Sequence, residues 1–118
     1  MNKSMICNEI QELPEFENWV ILEGKVKSAP VKAVEGDKIF YNFRIDNGRF
    51  RMNCTITQFK NNENDIEDEI FESLKEGIIA KVSGKLFIKK KEEKLWVQIN
   101  VKNWITTNNG RKVKYKVT

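Results

Sequence analysis

The segment Ile39–Ile56, with the sequence IFYNFRIDNGRFRMNCTI, divides its side chains into two alternating sets around Asn47-Gly48. Asparagine followed by glycine is a strong hairpin signal, because a type I′ turn needs positive φ at both central residues. Successive side chains of a strand point to opposite faces. One face of the hairpin is therefore predicted to join the core, and its members are Ile39, Tyr41, Phe43, Ile45, Phe50, Met52, Cys54 and Ile56.

The opposite face of this hairpin is polar and basic. A two-residue turn pairs Arg44 with Arg51 and Asn42 with Asn53. Two facing guanidinium groups repel each other unless an anion lies between them, and phosphate accepts bidentate hydrogen bonds from arginine. We therefore predict that this face binds a nucleic acid strand; an ordinary solvated surface is the alternative. The candidate residues are Phe40, Asn42, Arg44, Arg49, Arg51 and Asn53, with Phe40 as a base-stacking residue and Thr55 beside them.

The order of the remaining elements predicts the fold. They are a first strand at Trp19–Ser28, a loop at Ala29–Asp37, a helix at Asp65–Lys75 that Gly77 closes, a fourth strand at Ile78–Lys89 and a fifth at Lys94–Trp104. Apolar residues alternate along the strands and recur on one face of the helix. This order predicts an all-β, five-stranded Greek-key OB-fold barrel with one α-helix between strands 3 and 4. Another small β-barrel or a split β-sandwich would be the alternative.

A second candidate site lies on the hairpin of the fourth and fifth strands. Its predicted inward residues are Ile78, Ala80, Val82, Gly84, Leu86, Ile88, Leu95, Val97, Ile99 and Val101. A turn at Lys90–Glu93 pairs Phe87 with Trp96 on the outer face. Aromatic side chains stack on bases, and lysines track the phosphate backbone. The predicted binding residues are Lys85, Phe87, Lys89, Lys94 and Trp96; a subunit contact is the alternative reading.

Length and charge divide the chain further. A chain of 118 residues is expected to hold one domain. We predict an N-terminal extension at residues 1–18, the OB-fold domain at residues 19–104 and a basic C-terminal tail at residues 105–118, which could add a frayed strand. The net charge is +4, but residues 62–77 sum to −6 and residues 78–118 to +9. Such segregation creates local fields that the total conceals.

Enzymatic chemistry is not favoured by this composition. The chain has no histidine, so a serine or cysteine nucleophile would lack an imidazole base. The carboxylates of the predicted helix are interpreted as solvation and dipole complementation. The two cysteines suggest neither a disulfide framework nor a metal site, and we expect no catalytic residues, no metal and no cofactor. Neither an apolar span nor an export signal is evident, which predicts a cytoplasmic protein without membrane contact.

Several short runs resemble bacterial and phage single-stranded DNA-binding proteins. They are NWVILEGKV at Asn18–Val26, FRI at Phe43–Ile45, NCT at Asn53–Thr55, LKEG at Leu74–Gly77 and VSGKL at Val82–Leu86. The resemblance implies an OB-fold, no enzymatic activity, binding of single-stranded DNA and assembly into homodimers or homotetramers. The chain departs from the family in its short loop between strands 2 and 3 and in its basic end, where the bacterial proteins carry an acidic tip.

Together these features predict binding of single-stranded nucleic acid, DNA rather than RNA, with little sequence preference. The corresponding role is that of an accessory protein in DNA replication, recombination or repair. A protein-interaction or oligomerisation OB module is the first alternative. An RNA- or tRNA-binding OB domain is the second.

Overall fold

The computed structural model describes residues 18–62 and 65–117, so the predicted N-terminal extension lies outside the described residues except for Asn18. The elements are β1 (Val20–Glu35), β2 (Lys38–Asp46), β3 (Arg51–Phe59), α1 (Glu67–Ser73), β4 (Ile79–Lys91), β5 (Lys94–Asn108) and β6 (Arg111–Lys116). The strand order is β3-β2-β1-β4-β5-β6, and β3 also pairs with β5. Strands β1 to β5 therefore close into a ring with α1 between β3 and β4, which confirms the predicted OB-fold barrel.

The core fills the inside of this ring. The predicted inner face of the β2–β3 hairpin is buried at Tyr41, Phe43, Ile45, Cys54 and Ile56, and Ile39 and Met52 pack against it. The other buried apolar residues are Val26, Ile66, Ile70, Leu74, Ala80, Val82, Ile99, Val101 and Trp104. Alternating burial along paired strands is the pattern of a barrel whose interior is packed with side chains. No helix in the described part of the chain is long and apolar enough to span a membrane.

The turn between β2 and β3 is longer than predicted. Residues 47–50 form it, and the side chain of Asn47 accepts hydrogen bonds from the backbone N–H groups of Arg49 and Phe50 at 2.9 and 3.0 Å. The backbone N–H of Gly48 donates to Asp46 Oδ1 at 2.8 Å. These side-chain bonds stabilise a four-residue turn, and Phe50, predicted to be in the core, lies in it with 48% of its surface exposed.

The longer turn shifts the pairing of β2 and β3 by two residues. Arg44 pairs with Asn53 and Asn42 with Thr55, so the predicted pairs of Arg44 with Arg51 and Asn42 with Asn53 were wrong. Because the side-chain period of a strand is two, an even shift leaves each residue on its predicted face. Arg44 therefore faces an amide rather than a second guanidinium, but the composition of the polar face is unchanged.

The β4–β5 hairpin shows the same kind of shift. Glu92 and Glu93 form a two-residue turn with φ of 51° and 67°. Phe87 therefore pairs with Gln98 and Lys89 with Trp96, and the predicted pairing of Phe87 with Trp96 was wrong. In an antiparallel pair, Phe87 and Trp96 become diagonal neighbours on one face, which is within reach of aromatic side chains.

The end of this hairpin extends beyond the packed interior. Ile88 and Leu95, predicted to face the core, are 55% and 70% exposed. The cause is that β1 pairs with β4 no farther than Gly84, and β3 pairs with β5 no farther than Gln98. The inner face of the hairpin beyond these residues has no covering strand within residues 18–62 and 65–117.

Strand β1 covers much of the segment that was predicted to be a loop. It runs through Pro30 to Glu35, with irregular pairing between Val26 and Ser28 and between Ser28 and Val31. Proline is tolerated in a strand at such irregularities, because it lacks the N–H that a regular ladder would use. The irregular pairing thus lets β1 continue where the sequence predicted an interruption, and the turn follows at Gly36.

The helix and the C-terminal strand both pack against Trp104 of the core. Helix α1 is shorter than predicted, and Gly77, with φ of 91°, lies in the turn to β4 rather than at the cap, which is Leu74. Strand β5 has one extra residue between Val101 and Asn103, a β-bulge opposite Ser83 and Gly84 of β4. The bulge shifts the alternation, so Trp104 points inward, and its Nε1 donates to Ser73 Oγ of α1 at 2.9 Å. Strand β6 pairs with β5 and stacks Tyr115 on Trp104 at 5.3 Å between ring centroids. The tail from residue 105 thus contains the end of β5 and all of β6.

Candidate nucleic-acid interface

The closing pair of the barrel joins the two predicted sites into one surface. Strands β3 and β5 run parallel, with Asn53 opposite Gln98 and Thr55 opposite Asn100. Cross-strand pairing therefore aligns two rows of residues, each with one residue from β1, β2, β3, β5 and β4 in that order. The first row is Ser28, Arg44, Asn53, Gln98 and Phe87, and the second row is Val31, Asn42, Thr55, Asn100 and Lys85.

A groove of about 320 Å³ lies on these rows. Four of the predicted residues line it: Asn42, Arg44, Asn53 and Trp96. Gln98 and Thr55 add an amide and a hydroxyl, so the groove combines an aromatic ring with several hydrogen-bonding groups. Stacking surfaces beside polar and cationic side chains are the features that bind single strands.

The cationic part of the groove is Arg44. Its Nε donates to Asn53 Oδ1 at 3.2 Å, and Asn53 in turn donates through Nδ2 to the carbonyl oxygen of Val97 at 3.5 Å. Within residues 18–62 and 65–117, Arg44 has no carboxylate partner. Since guanidinium carries five N–H donors, the bond to Asn53 fixes its orientation and leaves its terminal nitrogens for an anion.

The aromatic part of the groove is Trp96, which is 45% exposed. Its Nε1 donates to Gln98 Oε1 at 2.8 Å, and Gln98 Nε2 donates to Asn100 Oδ1 at 2.8 Å. These three side chains alternate along the outer face of β5, so each is supported by the next. The two hydrogen bonds hold the indole ring beside the groove, where nearly half of the surface of Trp96 is exposed.

A second hollow, of about 390 Å³, lies at the tip of the β4–β5 hairpin and shares Trp96 with the groove. Lys89 and Lys94, both predicted phosphate-binding residues, line it together with Lys91, Glu92 and Leu95. The lysines thus share a hollow with the indole. Lys85 is exposed at the end of the second row, and Phe87 is exposed at the end of the first.

The remaining predicted residues lie on the same outer face but outside the groove lining. Phe40 is half-buried and pairs with Thr57. Arg49 is exposed in the turn, and Arg51 is exposed with its Nε 3.5 Å from Asp46 Oδ2. The Gly48 N–H and Arg51 together lower the pKa of Asp46, so this carboxylate stays charged and keeps Arg51 partly neutralised.

The sequence reasoning missed several lining residues. Gln98 lines the groove, and Asn100 supports it through a hydrogen bond. Both alternate with Trp96 on one face of β5, and this period of two could have identified them. Ala29 and Val31 were missed because their segment was predicted to be a loop, and Ser28, at the predicted end of the first strand, was missed with them. Their side of the groove depends on the irregular pairing of β1 with β2, which has no clear local signal.

Other titratable groups near the core are structural. Burial raises the pKa of Cys54 to about 12, so its thiol stays protonated at neutral pH. Burial and a hydrogen bond to Glu67 raise the pKa of Tyr41, while Lys32 and Tyr41 lower the pKa of Glu67. In the described part of the chain, no three potential ligands lie close enough to hold a metal ion.

The ring of strands and its interposed helix define an OB-fold barrel with an open polar groove. Comparison with solved structures agrees. The second single-stranded DNA binding protein (SSBb) from Mycobacterium smegmatis is 19% identical with a TM-score of 0.60, covering 75% of this chain and 84% of that one. The N-terminal domain of PriB from Thermoanaerobacter tencongensis, described as dimeric, is 22% identical with a TM-score of 0.56 over 78% and 98%.

A third similar structure is the SSB domain of a Synechococcus protein, at 16% identity and a TM-score of 0.57 over 74% of this chain and 92% of that one. No protein-family model and no curated protein sequence matches the chain. At these identities the likeness concerns the fold. The fold that the sequence resemblance implied is therefore confirmed.

Proposed function

We propose that this protein binds single-stranded DNA in the groove between β1, β2, β3 and β5, with little sequence preference. The observation that carries the proposal is the parallel pairing of β3 with β5, which brings Arg44 and Asn53 beside Trp96 and Gln98. Similar folds in proteins described as single-stranded DNA-binding support it. The corresponding role is that of a non-enzymatic accessory protein in DNA replication, recombination or repair.

The groove residues divide the task. Trp96 stacks on a base, which is sequence-tolerant because every base has a π-face. Arg44 pairs with a phosphate, and Lys89 and Lys94 beside Trp96 follow the backbone away from the groove. The amides of Asn42 and Gln98 add hydrogen bonds to whichever base edge or sugar lies nearest. Weak sequence preference follows, since stacking and phosphate contacts carry little sequence information.

The test is a titration of fluorescent oligo-dT by anisotropy at several salt concentrations, with Trp96→Ala as the variant. Loss of one stacked base, worth about 1–3 kcal/mol, should weaken binding by about 5- to 150-fold. Phe59→Ala is the matched control, because Phe59 is an exposed aromatic residue at the end of β3 that lines neither the groove nor the second hollow. Absence of binding at low ionic strength, or equal losses in both variants, would contradict the proposal. Competition by a matched RNA strand distinguishes DNA from RNA.

A protein-interaction function is a second candidate, supported by the exposed inner face of the β4–β5 hairpin. Ile88 and Leu95 lie on this face with no covering strand in the described chain, and contiguous exposed apolar surface is typical of contact sites. A second copy of the chain, as a homodimer or homotetramer, is the partner that we propose here. Sedimentation of Leu95→Glu tests it: loss of assembly with DNA affinity retained would show that the two surfaces are separate.

A further inference from the structure

A cluster of lysines lies outside the groove, on the outer face of β1, β4, β5 and β6. Lys81 on β4 pairs with Ile105 on β5, and Ile105 pairs with Lys114 on β6. The same face carries Lys25 on β1, opposite Ile79. We call this cluster the lysine face, and its members are Lys25, Lys81, Lys112, Lys114 and Lys116.

The orientation of β6 determines which way its lysines point. Tyr115 stacks on the buried Trp104 with an angle of 13° between the rings, so this side of β6 packs on the barrel. Because side chains alternate along a strand, the lysines at 112, 114 and 116 lie on the opposite side. They are all exposed. The strand that was predicted as a basic tail is therefore a fixed row of three lysines.

Positive charge predominates on the lysine face, where five lysines share the surface with Glu23 of β1. Alternate residues of a strand are about 7 Å apart, which is within the Debye length of about 8 Å at physiological salt. Glu23 pairs with Lys81 on the neighbouring strand, but no ion pair joins these lysines to a carboxylate in residues 18–62 and 65–117. Like charges so placed repel one another, and a bound polyanion would remove the repulsion.

The outer side of β4 connects this cluster with the groove. Lys85 pairs with Asn100 at the end of the second groove row, and Lys81 lies four residues earlier on the same face, at about 13 Å. Ser83 lies between them, with its hydroxyl bonded to the side chain of Asn103. No acidic side chain lies on β4 between the groove and the lysine face.

We propose that the lysine face is a second binding surface for the phosphate backbone of the same DNA strand, which leaves the groove over Lys85. This inference rests on the proposed function of the groove. Lysines contact phosphates as point charges, so the second surface adds affinity and salt dependence without reading bases. It follows that a strand too short to reach beyond Lys85 uses the groove alone, whereas a longer strand uses both surfaces.

The test compares two oligo-dT lengths on the full chain. A strand of about 8 nucleotides is within the site size of one OB-fold, and one of about 30 exceeds it. The variant is Lys112→Glu, Lys114→Glu and Lys116→Glu together. Losing three phosphate contacts should lower the slope of log affinity against log salt by about 2 for the long strand, at about 0.7 per contact. The slope for the short strand should stay as in the unchanged protein.

The matched control reverses three exposed lysines elsewhere, Lys38, Lys60 and Lys75, with the same change in total charge. An equal loss of slope in the control, or an unchanged slope on the long strand in the β6 variant, would overturn the inference. The corresponding Lys→Gln triple variant repeats the test if β6 unpairs in the glutamate variant, with the melting temperature as the check. Failure of the unchanged protein to bind either length would instead refute the proposed function.

Discussion

Arg44→Gln should weaken DNA binding much more than Arg51→Gln, although both arginines lie on the same outer face. Arg44 is oriented by Asn53 and has no carboxylate partner in the described chain, whereas Arg51 lies 3.5 Å from Asp46. A hydrogen bond to a charged group contributes about 1.5–3 kcal/mol, so loss of the Arg44 contact should raise the Kd by about 10- to 150-fold. The salt slope should fall by about 0.7 for the lost phosphate contact.

For Arg51→Gln the Kd should rise by less than about fivefold. Asp46 already neutralises part of the Arg51 charge, and an exposed ion pair is worth about 0–1 kcal/mol. Both values come from anisotropy titrations with fluorescent oligo-dT, and equal melting temperatures show that neither variant is misfolded. Equal losses in the two variants would refute the reasoning, because they would mean that Asp46 does not neutralise Arg51 and that position in the groove is unimportant.

Three further predictions concern stability. Gly84→Ala should lower the melting temperature by roughly 10 °C or more, because the added Cβ would overlap the backbone of Asn100. Gly110→Ala meets no atom within 4 Å and should cost only about 1–2 kcal/mol, because φ is positive at this position. Thermal melts of the two variants measure the difference. In a Cys7→Ser variant, Cys54 should react with a thiol reagent in denaturant but not in the native protein, and fast native labelling of this variant would contradict the burial of Cys54. Because the pKa of Glu67 is lowered in the fold, its carboxylate stabilises the protein above about pH 4.5, and this stabilisation is lost as the pH falls. Glu67→Gln should therefore make stability depend less on pH in acid, which melts across this pH range measure.

The architecture of this protein could be predicted because its local patterns agree with one another. Alternation along the strands identified the inner faces, and the spacing of Ile66, Ile70 and Leu74 identified the helix that covers them. Both hairpin registers were nevertheless wrong by two residues. Turn length depends on side-chain hydrogen bonds such as those of Asn47, which a dipeptide signal does not contain.

Errors of burial have a different physical origin. Ile88 and Leu95 alternate like core residues, but burial also needs a neighbouring strand long enough to cover them. Trp104 shows the converse, since the residue inserted before it reverses the alternation and turns it into the core. Periodicity therefore predicts which residues share a face only where no residue is inserted, and it does not predict what that face contacts.

The residues of the candidate site could be predicted in part from the sequence, but their assembly into one groove could not. Local alternation identifies Arg44 and Asn53 as one polar face and Trp96 as part of another. Whether they form one groove depends on the parallel pair of β3 and β5, which joins residues more than forty positions apart. This pair brings the Asn53 amide to the backbone of Val97 at 3.5 Å, one residue from Trp96. The barrel's closure therefore does more than remove a free sheet edge, because it places the guanidinium of Arg44 and the indole of Trp96 in one groove.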